Sequence, residues 1–356
     1  MNSNSSNSQR VGIIGGGIAG STIALKLSAL DIDIVLFEAG KSLVNGPPVC
    51  HLHAGGNLYP DISDEQCLTL LKQSIDTIKA YPECINRRPT IIANPKRYQG
   101  DINDILPRLT LLQKSYAQLI ADDASNAVLG EAKDYFQLCE REYLESLVGR
   151  AQENSVSSLE QWLIPFANNV DFETIKFPIL IVQEYGLSLF RIAATSTLAL
   201  SEKTNCRLLT NNKVIDVKRN REGWIIKHAE DNDISTTEVD YLINACGYQT
   251  GVIDDLTQLK KTRMVEFKAA YVTHWQQTNK WPEVIFHGER GTPNGMAQLT
   301  PYPDGYFQLH GMTEDITLFK DGLAKSTLDS AQPVLKQHIQ TKLQAGWSEE
   351  ESKQRT

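Results

Sequence analysis

The apolar positions open as a short unbroken run, become a helical stripe, and close up again into a second run. Val11 to Ile14 is uninterrupted, as in a strand buried on both faces of a parallel sheet. From Ser21 to Leu30 the apolar residues Ile23, Ala24, Leu27 and Leu30 recur at helical spacing, and "IDIVLFE" reads as a second strand ending at Glu38. A longer helix is predicted over 61–88, capped by Ser63-Asp64-Glu65-Gln66 and striped by Leu68, Leu71, Ile75 and Ile78. Further helical signals follow in 101–163. Residues 177–206 read as a strand, a turn at Gly186, and a helix from about Leu187 to Ser201. A strand around Val214 then enters a β-meander with a turn at Arg221-Glu222-Gly223, and "YLINACG" is a strand ending in small residues. Residues 262–319 read as strands, with Asp304-Gly305 turning a hairpin. Ser348 with Glu351 has the form of a capping box.

Between the first strand and the first helix stands Gly15-Gly16-Gly17-Ile18-Ala19-Gly20, a GxGxxG. Each glycine has a physical task. Gly15 permits the tight turn, Gly17 lets the backbone approach a pyrophosphate, and Gly20 lets helix and strand pack closely. The helix N-terminus offers free N–H groups and a favourable dipole to that anion. Glu38, at the end of the second strand and about 20 residues on, suits the ribose hydroxyls and repels a 2′-phosphate, which disfavours NADP. Strand, turn, helix and acid together predict dinucleotide binding. The motif does not by itself separate FAD from NAD.

Composition narrows the classes. With 356 residues, 41% hydrophobic and 22% charged, the chain is long enough for one large or two ordinary globular domains. A net charge of −8 and no basic run argue against a nucleic-acid partner held by phosphate neutralisation. "MNSNSSNSQR" lacks the apolar core of a signal peptide, and no stretch reaches the ~18 apolar residues of a spanning helix. The six cysteines include no CxxC and read as reduced and structural. The expectation is a cytoplasmic protein with no integral membrane segment, peripheral membrane contact being left open.

"VCHLHAGGNLYP" (49–60) is the least ordinary stretch. A metal clip at Cys50, His51 and His53 is not expected: an x-H-x-H step on an extended segment puts both imidazoles on one side, but no further ligand at a fitting spacing is evident. Ala54, Gly55 and Gly56 have little or no side chain, so the backbone there is free to lie against something flat.

Three blocks of this chain resemble the FAD-dependent oxidoreductases of the D-amino-acid-oxidase class, such as glycine oxidase, sarcosine oxidase and dimethylglycine dehydrogenase. They are the first βαβ with Glu38-Ala39-Gly40, the "HAGGNLYP" stretch, and residues 210–250 through Ala245-Cys246-Gly247. The resemblance spans most of 10–315. It implies FAD as cofactor and an α/β fold: a Rossmann-type FAD-binding domain, parallel sheet plus β-meander, interleaved with an α+β substrate domain on a mainly antiparallel sheet. The domains expected are a disordered 1–9, FAD-binding 10–95 and 187–261, substrate or cap 96–186 and 262–320, and a helical 321–356.

The resemblance also assigns residues. Gly15, Gly16, Gly17, Ile18, Ala19, Gly20, Glu38, Ala39, Val214, Ala245 and Gly247 would surround the ADP half. His53, Ala54, Gly55 and Gly56 would lie at the isoalloxazine, where their N–H groups tune the ring. His53 has three readings: a covalent flavin link, a ring neighbour, or a turn histidine. Arg191, Tyr302 and His310 are the catalytic candidates, with His287, Arg290 and Tyr306 as further pocket residues. Arg191 offers a fork for a substrate carboxylate, or else is a solvated surface arginine.

The activity implied is hydride transfer from a C–N bond of an amine or amino acid to flavin N5, with a small-molecule substrate and oxygen or a quinone as electron acceptor. The rivals are oxidation of a 2-hydroxy acid at C–OH, a catalytically silent FAD-binding module, and a nicotinamide-dependent dehydrogenase. Members of the class end in a glycine-rich strand–loop–helix that returns to the flavin. This chain ends in "GWSEEESKQRT", so the resemblance implies truncation.

Overall fold

A computed structural model of the chain describes residues 9–30, 32–45, 62–268, 271–276, 279–289, 292–311, 318–345, 348 and 350. Residues 53–56, Arg290 and Glu351, on which expectations were placed, lie outside the described residues.

In chain order the structure opens with β1 (Arg10–Ile14), α1 (Ile18–Ser28) and β2 (Asp33–Phe37). The middle holds α2 (Asp64–Ala80), β3 (Ile85–Asn86), β4 (Thr90–Ala93), α3 (Leu106–Asp122), β5 (Phe136–Cys139), α4 (Arg141–Glu145), α5 (Leu159–Ala167), β6 (Ile179–Val182) and β7 (Gly186–Leu187). Next come α6 (Leu189–Ser201), β8 (Cys206–Leu209), β9 (Lys213–Arg219), β10 (Trp224–Glu230), β11 (Asp233–Val239), β12 (Tyr241–Asn244) and α7 (Thr250–Leu256). The last part carries β13 (Met264–Lys268), β14 (Tyr271–His274), β15 (Glu283–Phe286), β16 (Ala297–Pro301), β17 (Tyr306–Gly311), β18 (Leu318–Lys325) and α8 (Gln337–Ala345).

The chain divides into two compact units. The first comprises 1–50, 189–267 and 321–346. Its sheet runs β12-β1-β2-β8, all pairs parallel. Alternation along the strands gives the sheet two apolar faces, as a doubly covered parallel sheet requires. Ile14, Val35 and Phe37 on one face pack against Val217, Ile226 and Val239 of the β9-β10-β11 meander, with Ile253 of α7. Each such side chain, fully buried, contributes roughly 1.5–3 kcal/mol. The meander sits so close that a Cβ on Gly12 would stand 2.7 Å from Ile226 Cδ1. Its first turn forms where predicted, because Asn220 Oδ1 accepts from the N–H groups of Glu222 and Gly223 at 3.0 and 2.6 Å. α1 packs against α6.

The second unit comprises 51–188, 268–320 and 347–356. Its seven-stranded sheet runs β14-β17-β16-β15-β4-β6-β5, antiparallel except for the central β4–β15 pair. One face carries Ile91, Ile179, Ile181 and Val284, which bury against Leu144 of α4 and Leu163, Ile164, Phe166 and Ala167 of α5. The Asp304-Gly305 hairpin forms with Gly305 at φ +74°.

Three expectations need correction. The helix predicted over 61–88 stops at Ala80, because Pro82 has no N–H to continue the ladder and Tyr81 before it leaves the α region at φ −134°. Its cap is as predicted, Ser63 Oγ accepting from Gln66 N at 3.2 Å. The boundaries also move. β4, expected in the cofactor domain 10–95, is an interior strand of the second unit's sheet, so the described residues from 62 to 95 belong there. Finally, 321–356 is not simply helical. It begins within β18, and residues after it fold back on α7, where Asp255 accepts from Ala331 N and Ser330 Oγ at 2.6 Å each and from Gln332 Nε2 at 2.8 Å.

Candidate functional site

The GxGxxG turn builds one wall of a cavity of about 610 Å³ in the first unit. Gly15 sits at φ +99°, and a Cβ there would meet the Ala245 carbonyl oxygen at 2.5 Å, so only glycine fits. Gly20 is held tighter still, its virtual Cβ 1.8 Å from Gly15 O. Gly17 is different. A Cβ on it would meet nothing within 4 Å, and the residue lines the cavity. It is also the N-cap of α1, and no side chain caps that helix. Open space, a free helix N-terminus and glycine backbone together are the donor set of a phosphate cradle.

Glu38 lines the same cavity. Its carboxylate accepts from Gly16 N at 2.7 Å and Gly40 N at 2.6 Å, one bond per oxygen. Each oxygen keeps a lone pair for a further donor such as a ribose hydroxyl. The turn and the acid are therefore tied to each other before any ligand arrives. The Glu38 main chain is fixed as well, its N–H donating to Leu209 O at 2.8 Å and its C=O accepting from Asn212 N at 2.9 Å.

Asn212 leads to a buried network that the sequence did not announce. His228 Nδ1 lies 2.8 Å from Asn212 Oδ1 and Nε2 lies 3.0 Å from Thr237 Oγ1. The imidazole packs on the Phe37 ring with centroids 5.0 Å apart. Burial, reinforced by the positive charge of Arg207, lowers its pKa below the ordinary 6.5, which keeps it neutral. Asn212 and Phe37 both line the cavity, so His228 braces two of its walls from behind.

Ala245, Cys246 and Gly247 line the cavity, as do Val214 and Ala39. Ala245 N donates to Ile14 O at 2.8 Å, and Gly247 turns at φ +55°. Burial, then the nearby carboxylates of Glu38 and Asp254, pushes the Cys246 thiol up to about 11, so it stays protonated and is no nucleophile. Among the predicted residues Gly15, Gly17 and Ile18 face the cavity. Gly16, Ala19 and Gly20 are not among its lining residues, and buried Gly16 and Gly20 serve by packing. Asn45, Leu189, Lys213, Tyr248 and Val252 line it without having been foreseen.

The catalytic candidates fall in different units. Arg191 is exposed on α6 in the first unit. Tyr302 and His310 belong to the β16–β17 hairpin of the second. Tyr302 Oη donates to Gln308 Oε1 at 2.7 Å, and His310 stands in register with Gln298. His287 is buried, edge-on to Tyr98, and its main-chain N–H donates to Ala93 O at 3.0 Å. Tyr306 is exposed beside His274. Sequence reasoning missed a buried ion pair between Arg88 and Glu283, with Gln298 and Thr300 bonded to the same carboxylate. The alternation Gln298, Thr300 and Gln308, His310 along two paired strands was the available signal. Among the described residues, no three His, Cys, Asp or Glu side chains are grouped to hold a metal ion, and no helix is long and apolar enough to cross a membrane.

No protein-family model matches the chain, and no curated protein matches it. Among solved structures it is similar to L-proline dehydrogenase from P. horikoshii (15% identity, TM-score 0.56, covering 85% of this chain and 69% of that one). It is also similar to glycine oxidase from Geobacillus kaustophilus (13%, 0.51, 90% and 74%). A third is the FAD-bound, dithionite-reduced L-α-glycerophosphate oxidase from Mycoplasma pneumoniae (15%, 0.54, 88% and 73%). At such identities the likeness is one of fold. The fold shared with these three solved structures is the parallel sheet with its meander and the mainly antiparallel second sheet.

Proposed function

We propose that this protein is an FAD-dependent oxidoreductase that oxidises a C–N bond of a small amine or amino acid. The observation that carries the reading is the environment of Gly17: an open cradle at an uncapped helix N-terminus, facing a cavity that also holds Glu38 and the Ala245–Gly247 turn. These residues fit an ADP moiety. The backbone of Gly15 to Ile18 takes the pyrophosphate, Glu38 the ribose hydroxyls, and Ala39 and Val214 border the adenine side. Gly16, Ala19 and Gly20 shape the turn beneath them. The resemblance assigns residues 53–56 to the isoalloxazine side. FAD, when bound, supplies the hydride acceptor, and oxygen or a quinone re-oxidises it. Arg191, Tyr302 and His310 remain the candidates for orienting substrate, and Cys246, held as a thiol, takes no proton from it.

The test is the visible spectrum of the purified protein, followed by anaerobic substrate addition. Flavin absorbance that bleaches with secondary amines or amino acids supports the reading. Bleaching only with 2-hydroxy acids moves the chemistry to C–OH. Bound flavin that no substrate reduces makes the chain a silent FAD-binding module. A protein that stays colourless with added FAD overturns the cofactor. Acid precipitation separates a covalent link at His53 (yellow pellet) from a non-covalent neighbour (yellow supernatant).

A further inference from the structure

A second cavity, of about 250 Å³, is built entirely from residues of the second unit. It shares no lining residue with the cavity that holds Glu38, and Arg191, Tyr302 and His310 do not line it. Its size falls just below the roughly 300–1,000 Å³ of drug-sized sites, which suits a ligand as small as an amino acid.

The lining carries two unspent charges of opposite sign. Arg87 is exposed and has no ion pair among the described residues, its guanidinium standing 5.8 Å from the centre of the Tyr185 ring. Asp134, half-buried just before β5, has no ion pair among the described residues either, so the two are not paired with each other. Two buried polar atoms are unsatisfied as well. Arg88 is 6% exposed. Its Nη1 meets Glu283, but its Nε has no hydrogen-bond partner. Gln183 Oε1, one residue past β6, is buried without a partner in the same way. Each such atom costs roughly 1–3 kcal/mol until something bonds to it. Both side chains line the cavity, so a donor and an acceptor stand ready there.

The N-terminus of α5 meets the same space through Ser157, Ser158 and Leu159. Ser158 Oγ accepts from Gln161 N at 3.4 Å, while the N–H groups of Leu159 and Glu160 have no acceptor among the described residues. Glu160, the acid that would compete for them, is held by Arg150 at 3.1 Å. Arg87, Arg88 Nε and the helix end thus favour an anion. Asp134 and Gln183 Oε1 favour a cationic donor. Trp162 and Ile181 add apolar wall. A simple anion would face Asp134, and a simple cation would face two arginines. A molecule carrying both charges meets neither repulsion.

We propose that this cavity is a second small-molecule site whose ligand is an α-amino acid with an apolar or aromatic side chain. Arg87 and the α5 N-terminus take the carboxylate, Asp134 and Gln183 Oε1 take the ammonium group, and Trp162 and Ile181 take the side chain. The site stands independently of the FAD-dependent activity proposed above, since none of its residues belongs to the first unit.

The experiment is calorimetric titration of the full chain, with and without added FAD. The ligands are phenylalanine in both enantiomers, 3-phenylpropanoate, which lacks the ammonium group, and 2-phenylethylamine, which lacks the carboxylate. The better enantiomer of phenylalanine is expected to bind at least about tenfold more tightly than either analogue. Arg87→Met should weaken phenylalanine and 3-phenylpropanoate at least about tenfold and spare 2-phenylethylamine. Asp134→Asn should weaken phenylalanine and 2-phenylethylamine and spare 3-phenylpropanoate. A misfolded variant would lose all three ligands together, and Arg87→Lys, a milder change that keeps the charge but not the fork, should lie between parent and Arg87→Met. No binding of phenylalanine, binding no tighter than that of its analogues, or binding that survives both Arg87→Met and Asp134→Asn overturns the proposal. FAD content is read separately from absorbance. A chain that takes no FAD yet binds phenylalanine through Arg87 and Asp134 loses the cofactor and keeps this site. A chain that holds FAD, and whose phenylalanine binding ignores both variants, keeps its cofactor and loses this site.

Discussion

The Gly20 backbone lies directly against that of Gly15, so near that a Cβ on Gly20 would stand 1.8 Å from the Gly15 carbonyl oxygen. Gly17, three residues before Gly20 in the same turn, has no atom within 4 Å of the equivalent position. The two glycines therefore answer to different demands, one to packing and the other to a ligand. Gly20→Ala should lower the unfolding free energy by about 3 kcal/mol or more, since helix and strand must separate. Gly17→Ala should leave it within about 1 kcal/mol, the loss being that of a modest N-cap preference. FAD titration is expected to reverse the order of interest: Gly17→Ala folds but binds FAD at least tenfold more weakly, as one methyl group occupies the cradle. Urea unfolding and flavin fluorescence quenching on the same two proteins check both statements.

Glu38 is bonded to Gly16 N and Gly40 N through separate oxygens. Glu38→Gln keeps the shape but turns one acceptor into a donor that faces a backbone N–H. The expected cost to the FAD-free protein is about 1 kcal/mol, because the group is half-buried. ADP should then bind more weakly, while an ADP analogue carrying a 2′-phosphate should lose less, because the repelling charge is gone. An unchanged ratio of the two affinities would show that Glu38 holds the turn and does not face the ribose.

The parts of this structure that were legible from sequence are local ones. The β1–α1–β2 unit announces itself through glycines whose spacing is set by contacts inside a few turns, and the α2 cap through Ser63 and Gln66, three residues apart. β4 is the opposite case. "TIIA" is apolar enough for any buried strand, and its placement in the interior of the second sheet is decided by β6 and by β15, a partner from the far end of the chain. Glu283 was hidden for a related reason. A charged residue opening a strand reads as a solvated edge until Arg88, distant in sequence, is placed against it. His228 gave no signal either, since Asn212 and Phe37 reach it from separate strands and loops of the first unit.

His228 gives the first unit an acid sensitivity with a definite sign. Its folded pKa lies below the ordinary 6.5. Above that value the imidazole is neutral in both states and contributes no pH dependence. As pH falls through about 6.5 the unfolded chain takes up the proton first, so stability declines until the folded value is reached. Urea midpoints measured from pH 7.5 down to 5 should fall, and His228→Gln, which cannot titrate, should flatten that part of the slope. If the variant and the parent decline in parallel, the acid sensitivity belongs to other groups.

Arg88 and Glu283 are each almost wholly buried, and removing either alone strands the other's charge. Arg88→Met should cost about 3–5 kcal/mol, the usual penalty for leaving a buried partner uncompensated. The remaining carboxylate has a route to relief, because it can take up a proton and go on bonding with Gln298 and Thr300. The stability of Arg88→Met should therefore recover relative to the parent as pH is lowered toward 5, which a structural loss of side-chain packing would not do. The double variant Arg88→Met, Glu283→Gln removes the charge altogether and should regain most of the loss at pH 7. A double-mutant cycle from urea unfolding at pH 7 reads the coupling directly. Strictly additive single and double costs would mean that the two residues act independently, and that Gln298 and Thr300 are not organised around their pairing.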